Sequence, residues 1–368
     1  MSADLEGRID VTLTRTGNSV TAVTIRSSRP QLAQRLLAGR KPEEAAELTG
    51  MIFSLCGKAQ RVAAQTACEA AREQTADEAT MRERSARVLV ELAQEHAWRL
   101  LLNWPEQAGL NSDMSALLAL RQGAASPAGL ADTLDTLLRT RFLGESTEDW
   151  LNRDLHGFDV WRESGRTLPA ILFASLGPGA DVGLSTTTLL PAVAQLENPD
   201  GAALSALALE DASFCACPLW HGQPAETGAL ARNLDHPLLA DWITLRGRGA
   251  GGRMLARLLE LARLPQRLRK GGEKVVHAQP LEDNAGMAAV ETSRGLLIHV
   301  VRLANERVAA YRIIAPTEWN FHPKGPLAQA LGNLSMEDAT GEGLLARSRL
   351  VAQSLDPCVA YSVEVLNA

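Results

Sequence analysis

Polar and apolar residues alternate through Arg8-Ile9-Asp10-Val11-Thr12-Leu13, the two-residue period of a half-buried strand. Gly17-Asn18-Ser19 supplies turn residues, and residues 20–25 form the expected returning strand. The period then lengthens. Leu32, Leu36 and Leu37 share one face of a helix predicted over 30–40, with Pro30 in its first turn. From residue 58 to about 102 the pattern is helical, with one break near Thr75-Ala76-Asp77. There Val88, Leu89, Leu92, His96 and Leu100 recur at helical spacing, and Pro105 marks the stop. Ser126-Pro127 opens a further predicted helix that runs to Arg141. Residues 149–162 are mixed, and 176–180 (Leu-Gly-Pro-Gly-Ala) are a loop. Residues 238–242 and 253 to about 264 are again helical. Two alternating strands, about 295–302 and 307–314, flank a turn near Asn305. The last fifteen residues (354–368) are largely apolar and predict a terminal strand or helix around Cys358.

At 368 residues the chain can bury a sizeable core, as one large domain or two. The net charge of −6 provides no overall basic field to recruit nucleic acid. Aromatic residues make up 4% and Ala and Leu abound, which favours helices over an all-β fold. No uninterrupted apolar run has membrane-spanning length. The opening Met1-Ser2-Ala3-Asp4-Leu5-Glu6 is acidic and lacks the basic and apolar regions of a secretory signal, so a cytoplasmic protein is expected. Five cysteines are an odd number and too sparse for a disulfide framework, so reduced thiols are expected.

Several motifs invite a chemical reading. Cys215-Ala216-Cys217 with His221 places two thiols near an imidazole, but no second Cys/His pair completes a tetrahedral site. Gly247-Arg248-Gly249-Ala250-Gly251-Gly252 spells a dinucleotide fingerprint. It lacks the surrounding βαβ unit that lets such a loop cradle a pyrophosphate, and the nucleotide reading is rejected. Arg267, Arg269, Lys270 and Lys274 form a small basic loop of the kind that is usually solvated. His96 lies on an apolar helical face, where a histidine is more often a packing residue than a ligand.

Longer stretches carry a family resemblance. Leu55-Cys56-Gly57-Lys58-Ala59 and Asp356-Pro357-Cys358-Val359-Ala360-Tyr361 resemble the paired metal-binding motifs of [NiFe]-hydrogenase large subunits, Cys-Gly-x-Cys and Asp-Pro-Cys-x-x-Cys-x-x-His. Gly222-Gln223-Pro224-Ala225-Glu226-Thr227-Gly228-Ala229-Leu230-Ala231-Arg232 resembles the family's Gly-x-Pro-x-Glu-Val-Gly-Pro-Leu-Ala-Arg. Glu291-Thr292-Ser293-Arg294-Gly295-Leu296-Leu297-Ile298-His299 is similar to its Glu-Ala-Pro-Arg-Gly-x-Leu-x-His. Pro316-Thr317-Glu318-Trp319-Asn320 is similar to its Pro-Thr-Thr-Trp-Asn. Only the first cysteine of each metal-binding pair is present. Ala59 and Tyr361 stand at the second positions, and Glu364 stands where the family has its last histidine. Ser54 and Ala63 replace an arginine and a histidine beside the first motif. The opening hairpin also resembles the family's Glu-Gly-His and strand, matching through Asp4 or through Glu6 according to register. The pattern resembles that of the accessory branch known as HupK or HoxV.

The resemblance implies an α+β, mainly helical fold: a trimmed large subunit with a central helical bundle and small antiparallel β hairpins. It implies one domain, with residues 1–105 holding the hairpin, first cysteine and long helices, 106–212 variable, and 213–368 holding the remaining motifs. It implies an accessory protein without the four-cysteine nickel–iron site, not an enzyme. Cys56 and Cys358 are the implied metal ligands. Arg294 and Thr317 match the residues that face the iron's cyanides in the enzymes. The implied cargo is a transient Fe(CN)2(CO) fragment with no stable nickel. Implied partners are upstream maturation proteins of the HypC/HypD type and the apo large subunit, with no nucleic acid and no membrane insertion. The competing expectation is a metal-free docking chaperone that mimics the large subunit. Both readings require the two cysteines' placement to be known, because they lie about 300 residues apart.

Overall fold

The computed structural model describes residues 7–17, 19–53, 55–107, 109, 111–334 and 341–368. Asp4, Glu6, Asn18 and Ser54 lie outside the described residues.

Strands β1 (Arg8–Thr16) and β2 (Ser19–Ser27) form the hairpin the alternation predicts. Ile9, Val11 and Leu13 face the core while their polar neighbours do not. The helix expected over 30–40 is shorter, Ala33–Leu37, and begins at Leu32, which has no side-chain cap to offer. A helix at Pro42–Ile52 then leads to α1 (Gly57–Ala71) and α2 (Glu78–Trp98). The break between α1 and α2 falls where Thr75-Ala76-Asp77 placed it, and Asp77 caps α2 by accepting from the Thr80 N–H at 2.7 Å. Pro105 does not end the helical run. The chain widens into a π turn at Arg99–Asn103 and continues as a short helix, Trp104–Gln107. A proline ring clashes with the carbonyl four residues back in a regular helix, and a widened turn relieves that clash.

Short helices fill the middle of the chain, among them Pro127–Leu137, Leu155–Glu163 and Leu168–Ser175. They enclose edge-to-face aromatic contacts between Phe158, Phe173 and Trp242. The long helix α3 (Ala250–Lys270) runs through this bundle, almost wholly buried. Arg267 and Arg269, expected in a basic loop, belong instead to its last turn. They pair with Glu273 at 2.6 Å and Asp132 at 2.9 Å. A basic last turn suits the negative end of a helix. Among the described residues no helix is long and apolar enough to cross a membrane.

The later strands form one sheet where the sequence showed only a hairpin. β3 (Val276–Leu281), β4 (Ala285–Thr292), β5 (Gly295–Ala304) and β6 (Arg307–Ile314) make a four-stranded antiparallel meander. Both faces of β4 and β5 are covered, so the expected half-exposed alternation of β5 is absent. One face carries Val290, Leu297 and Val301 into the helical core, and the other carries Met287, Ile298 and Val300 against Leu190, Leu204 and Trp220. Helix α1 packs against β4 and β5, with Ala67, Ala70 and Ala71 beside Gly286. Gly286 makes this approach possible, because a Cβ there would come within 2.5 Å of the Ala67 carbonyl oxygen.

After helix α4 (Gly341–Ser354) the chain ends in β7 (Ala360–Asn367). β7 pairs in parallel with β1, Ile9 opposite Tyr361 and Val11 opposite Val363, so β1 is the central strand of three. The terminal segment is thus a strand, anchored by the opening hairpin.

Candidate functional site

Arg294 sits at the tip of the β4–β5 hairpin. Thr292 and Gly295 pair across it, so Ser293 and Arg294 form a two-residue turn. The Thr292 hydroxyl accepts from the Arg294 N–H at 3.2 Å and donates to the Gly295 carbonyl at 2.8 Å. Asn320 clamps the turn from outside. Its amide accepts from the Thr227 N–H at 2.9 Å and donates to the Thr227 carbonyl at 3.0 Å and the Arg294 carbonyl at 3.4 Å. The family-like stretches around Thr227, Arg294 and Asn320 are therefore parts of one joint.

Cys56 stands immediately before α1, and its carbonyl accepts the first helical bond, from the Gln60 N–H at 2.9 Å. The next two N–H groups, of Lys58 and Ala59, donate to the Glu91 carboxylate of α2 at 2.8 and 2.9 Å. Glu91 thus occupies the positive end of the helix beside the sulfur. Burial pushes the Cys56 thiol up to about 12, with Cys358 and Glu91 adding to the shift and Arg294 and Gln60 opposing it.

Cys358 lies in the loop between α4 and β7. Asp356 turns that loop with φ of 52°, a left-handed conformation that aspartate tolerates better than most residues. The Thr317 hydroxyl, in the first turn of the helix Pro316–Asn320, donates to Cys358 Sγ at 3.0 Å and accepts from the Cys358 N–H at 3.3 Å.

The structure brings the four residues singled out in the sequence to one place. Cys56, Cys358, Arg294 and Thr317 all line a cavity of about 600 Å³. Its remaining wall is largely apolar, with Ile52, Phe53, Leu297 and Val359. Neither Ala59 nor Tyr361 is among its described lining residues. Tyr361 lines a second, more polar cavity of about 400 Å³ on the other side of Cys358.

Charged side chains cluster beside the cavity. Arg294 donates to Glu95 at 3.1 Å, and its Nε, which has no hydrogen-bond partner, lies 3.7 Å from Asp356. Asp356 also meets Arg99 at 2.7 Å and Arg257 at 3.7 Å. Burial works against its charged form, yet Arg294, Arg99 and Arg257 hold its carboxyl down to about 2. Burial raises the Glu95 carboxyl against the pull of Arg294. Arg294, Arg99 and Arg257 therefore gather around Asp356 and Glu95, and Glu91 is a third carboxylate close by, beside Cys56. Arg29 is a further cation on the wall, closed off by Glu318 at 2.5 Å.

Sequence reasoning missed Arg29, Gln60 and Glu91. Arg29 and Gln60 fall outside every motif quoted, and Glu91 acts on a helix other than its own. His96 is the buried packing residue expected, bonded to Glu260 at 2.7 Å. The Gly-x-Gly-x-x-Gly loop holds an anion of its own. The Asp181 carboxylate accepts from the N–H groups of Gly249, Gly251 and Gly252 at 3.1, 2.7 and 2.7 Å, filling the place a phosphate would take. Cys215 is buried and Cys217 exposed, so the Cys-x-Cys thiols diverge.

A family model described as nickel-dependent hydrogenase matches residues 252–364, the span from α3 to β7. The hydrogenase expression/formation protein HupK of Rhizobium leguminosarum bv. viciae is 30% identical, over 98% of this chain and 96% of its own. The chain belongs to the HupK/HoxV family. The hydrogenase expression/formation protein HoxV of Cupriavidus necator is 32% identical, over 92% of each chain. Among solved structures, the [NiFeSe]-hydrogenase of Dm. baculatum aligns with a TM-score of 0.57 at 14% identity, covering 93% of this chain and 94% of that one. An NAD+-reducing [NiFe]-hydrogenase aligns with a TM-score of 0.51 at 17% identity, covering 92% of each. The fold is that of a hydrogenase large subunit, with helices dominant and the sheets small.

Proposed function

We propose that this protein is a [NiFe]-hydrogenase maturation scaffold. It holds an Fe(CN)2(CO) unit as cargo and passes it to the apo large subunit. Support for a maturation role comes from the relatives, which are named as hydrogenase expression/formation proteins. The single observation that carries the cargo reading is the pair of thiols, Cys56 and Cys358, on one cavity wall that Arg294 also lines.

Chemistry supports the fit. Thiolates are soft donors suited to low-spin iron. A ferrous ion with two thiolates and two cyanides carries roughly −2, which is costly to bury without compensation. Arg294, on the cavity wall, supplies positive charge there. Its guanidinium is a charged donor of the kind that suits a cyanide nitrogen. Thr317 already bonds the Cys358 sulfur, so its role is to hold that ligand. Carbon monoxide adds no charge and suits the apolar wall. Cysteines at both family positions would be needed for a binuclear centre; with alanine and tyrosine at the second positions, two thiols suffice for one metal. Cys56 and Cys358 match the family's nickel-side cysteines, so iron on this pair takes a pose different from that in the enzymes. An accessory, non-catalytic role follows, with HypC/HypD-type donors upstream and the apo large subunit downstream.

The test is hydrogenase maturation in cells that carry Cys56→Ser and Cys358→Ser together. Loss of hydrogenase activity, with the variant still folded and abundant, is expected. Full maturation would overturn cargo binding and favour the metal-free docking chaperone.

A further inference from the structure

A line of buried hydrogen bonds crosses from the sheet to Cys56. Tyr311 of β6 meets His299 Nδ1 at 2.7 Å, and His299 Nε2 of β5 meets Gln60 Oε1 at 2.9 Å. The other end of the Gln60 amide, Nε2, donates to Cys56 Sγ at 3.6 Å, within the longer reach of a sulfur acceptor. Gln60, His299 and Tyr311 are each at most 2% exposed, so water does not compete for these bonds. Burial alone lowers His299 to about 3, and its imidazole is neutral near pH 7.

A neutral imidazole has one N–H donor and one acceptor nitrogen. With Gln60 Oε1 opposite Nε2, the proton belongs on Nε2, and Nδ1 accepts from the Tyr311 hydroxyl. In this arrangement the NH2 group of the Gln60 amide faces the sulfur. The backbone reinforces it, because Gln60 lies one helical turn beyond Cys56 and its N–H bonds the Cys56 carbonyl.

Resting on the cargo reading above, we infer that Gln60 is a positioning residue for Cys56, its amide locked by His299 and Tyr311 so that one N–H stays aimed at the metal-binding sulfur. Such partners of a ligand restrict its orientation and tune its donation to the metal. An N–H bond to a thiolate draws electron density from the sulfur. Less density then reaches the iron and its carbonyl. Leucine at position 60 keeps similar bulk but offers no donor.

The first arm of the test is 15N NMR on the metal-free full chain. His299 is expected as the Nε2–H tautomer, and the side-chain amide signals of Gln60 are expected to shift in Cys56→Ala. Tyr311→Phe, which removes one hydroxyl, is expected to leave His299 as a mixture of tautomers. The second arm is infrared spectroscopy of protein loaded in hydrogenase-competent cells. There Gln60→Leu is expected to move the carbonyl band to lower wavenumber, which a purely structural role would not do. An Nδ1–H tautomer would place the amide oxygen at the sulfur and overturn the inference. Gln60 signals indifferent to Cys56→Ala, or an unmoved carbonyl band, would do the same. If the cargo reading is wrong, wild type and variant both lack the bands, and the metal-free NMR arm still decides the role of Gln60.

Discussion

Replacing Asp356 by asparagine isolates the charge that organises the arginines beside the cavity. The backbone survives the change, since asparagine tolerates the left-handed φ of 52° as aspartate does. The shape survives too, and only the negative charge is lost. Asp356 is 3% exposed and faces Arg99, Arg257 and Arg294. Its carboxyl, held at about 2, lies nearly two units below the usual aspartate value of about 3.9, worth about 2.5 kcal/mol above pH 4. Removing one partner from a buried ion pair costs about 3–5 kcal/mol. Asp356→Asn is therefore expected to destabilise the metal-free protein by about 3 kcal/mol in urea unfolding near pH 7, with an unchanged denaturant slope. The sign with pH follows from a depressed carboxyl. The wild-type advantage is full above about pH 4 and is lost as pH falls through 2. Asp356→Ala is expected to cost about 1–2 kcal/mol more, from the left-handed backbone. A loss under about 1 kcal/mol near pH 7, or one that does not shrink in acid, would refute the reasoning.

Two further predictions concern the elements that frame the cysteines. Gly286→Ala drives a Cβ to within 2.3 Å of the Ala71 nitrogen and 2.5 Å of the Ala67 oxygen. It is expected to lower the thermal midpoint markedly, at a cost of about 1–3 kcal/mol typical of overpacking; an unchanged melting curve would remove the close α1–β4 contact. Cys56, raised to about 12 by burial, with help from Cys358 and Glu91, is expected to alkylate slowly at mildly alkaline pH in the metal-free protein. Glu91→Gln is expected to speed that reaction, followed by mass spectrometry of the Cys56 peptide, because a carboxylate no longer opposes the thiolate.

Local patterns were legible where one face of an element met water. The alternation of β1 placed Ile9, Val11 and Leu13 inward, and the Thr75-Ala76-Asp77 break fell between α1 and α2. The pattern failed where both faces are covered. β4, Ala285–Thr292, contains Ala-Gly-Met-Ala-Ala, weak in strand formers, and owes its pairing to neighbours on both sides. Pro105 misled because a π turn absorbs the clash that a proline otherwise creates. The four candidate site residues were legible only through family-like motifs, since Cys56, before α1, and Cys358, before β7, meet through tertiary packing and not through spacing. Gln60, Glu91 and Arg29 carried no signal, because their meaning arises from partners distant in sequence.

The account stands most directly on the infrared spectrum of the protein purified without air from a hydrogenase-competent cell. It predicts cyanide and carbonyl stretching bands in the wild type and none when Cys56 and Cys358 are both serine. A wild-type spectrum without those bands, with the upstream assembly proteins present, would contradict it.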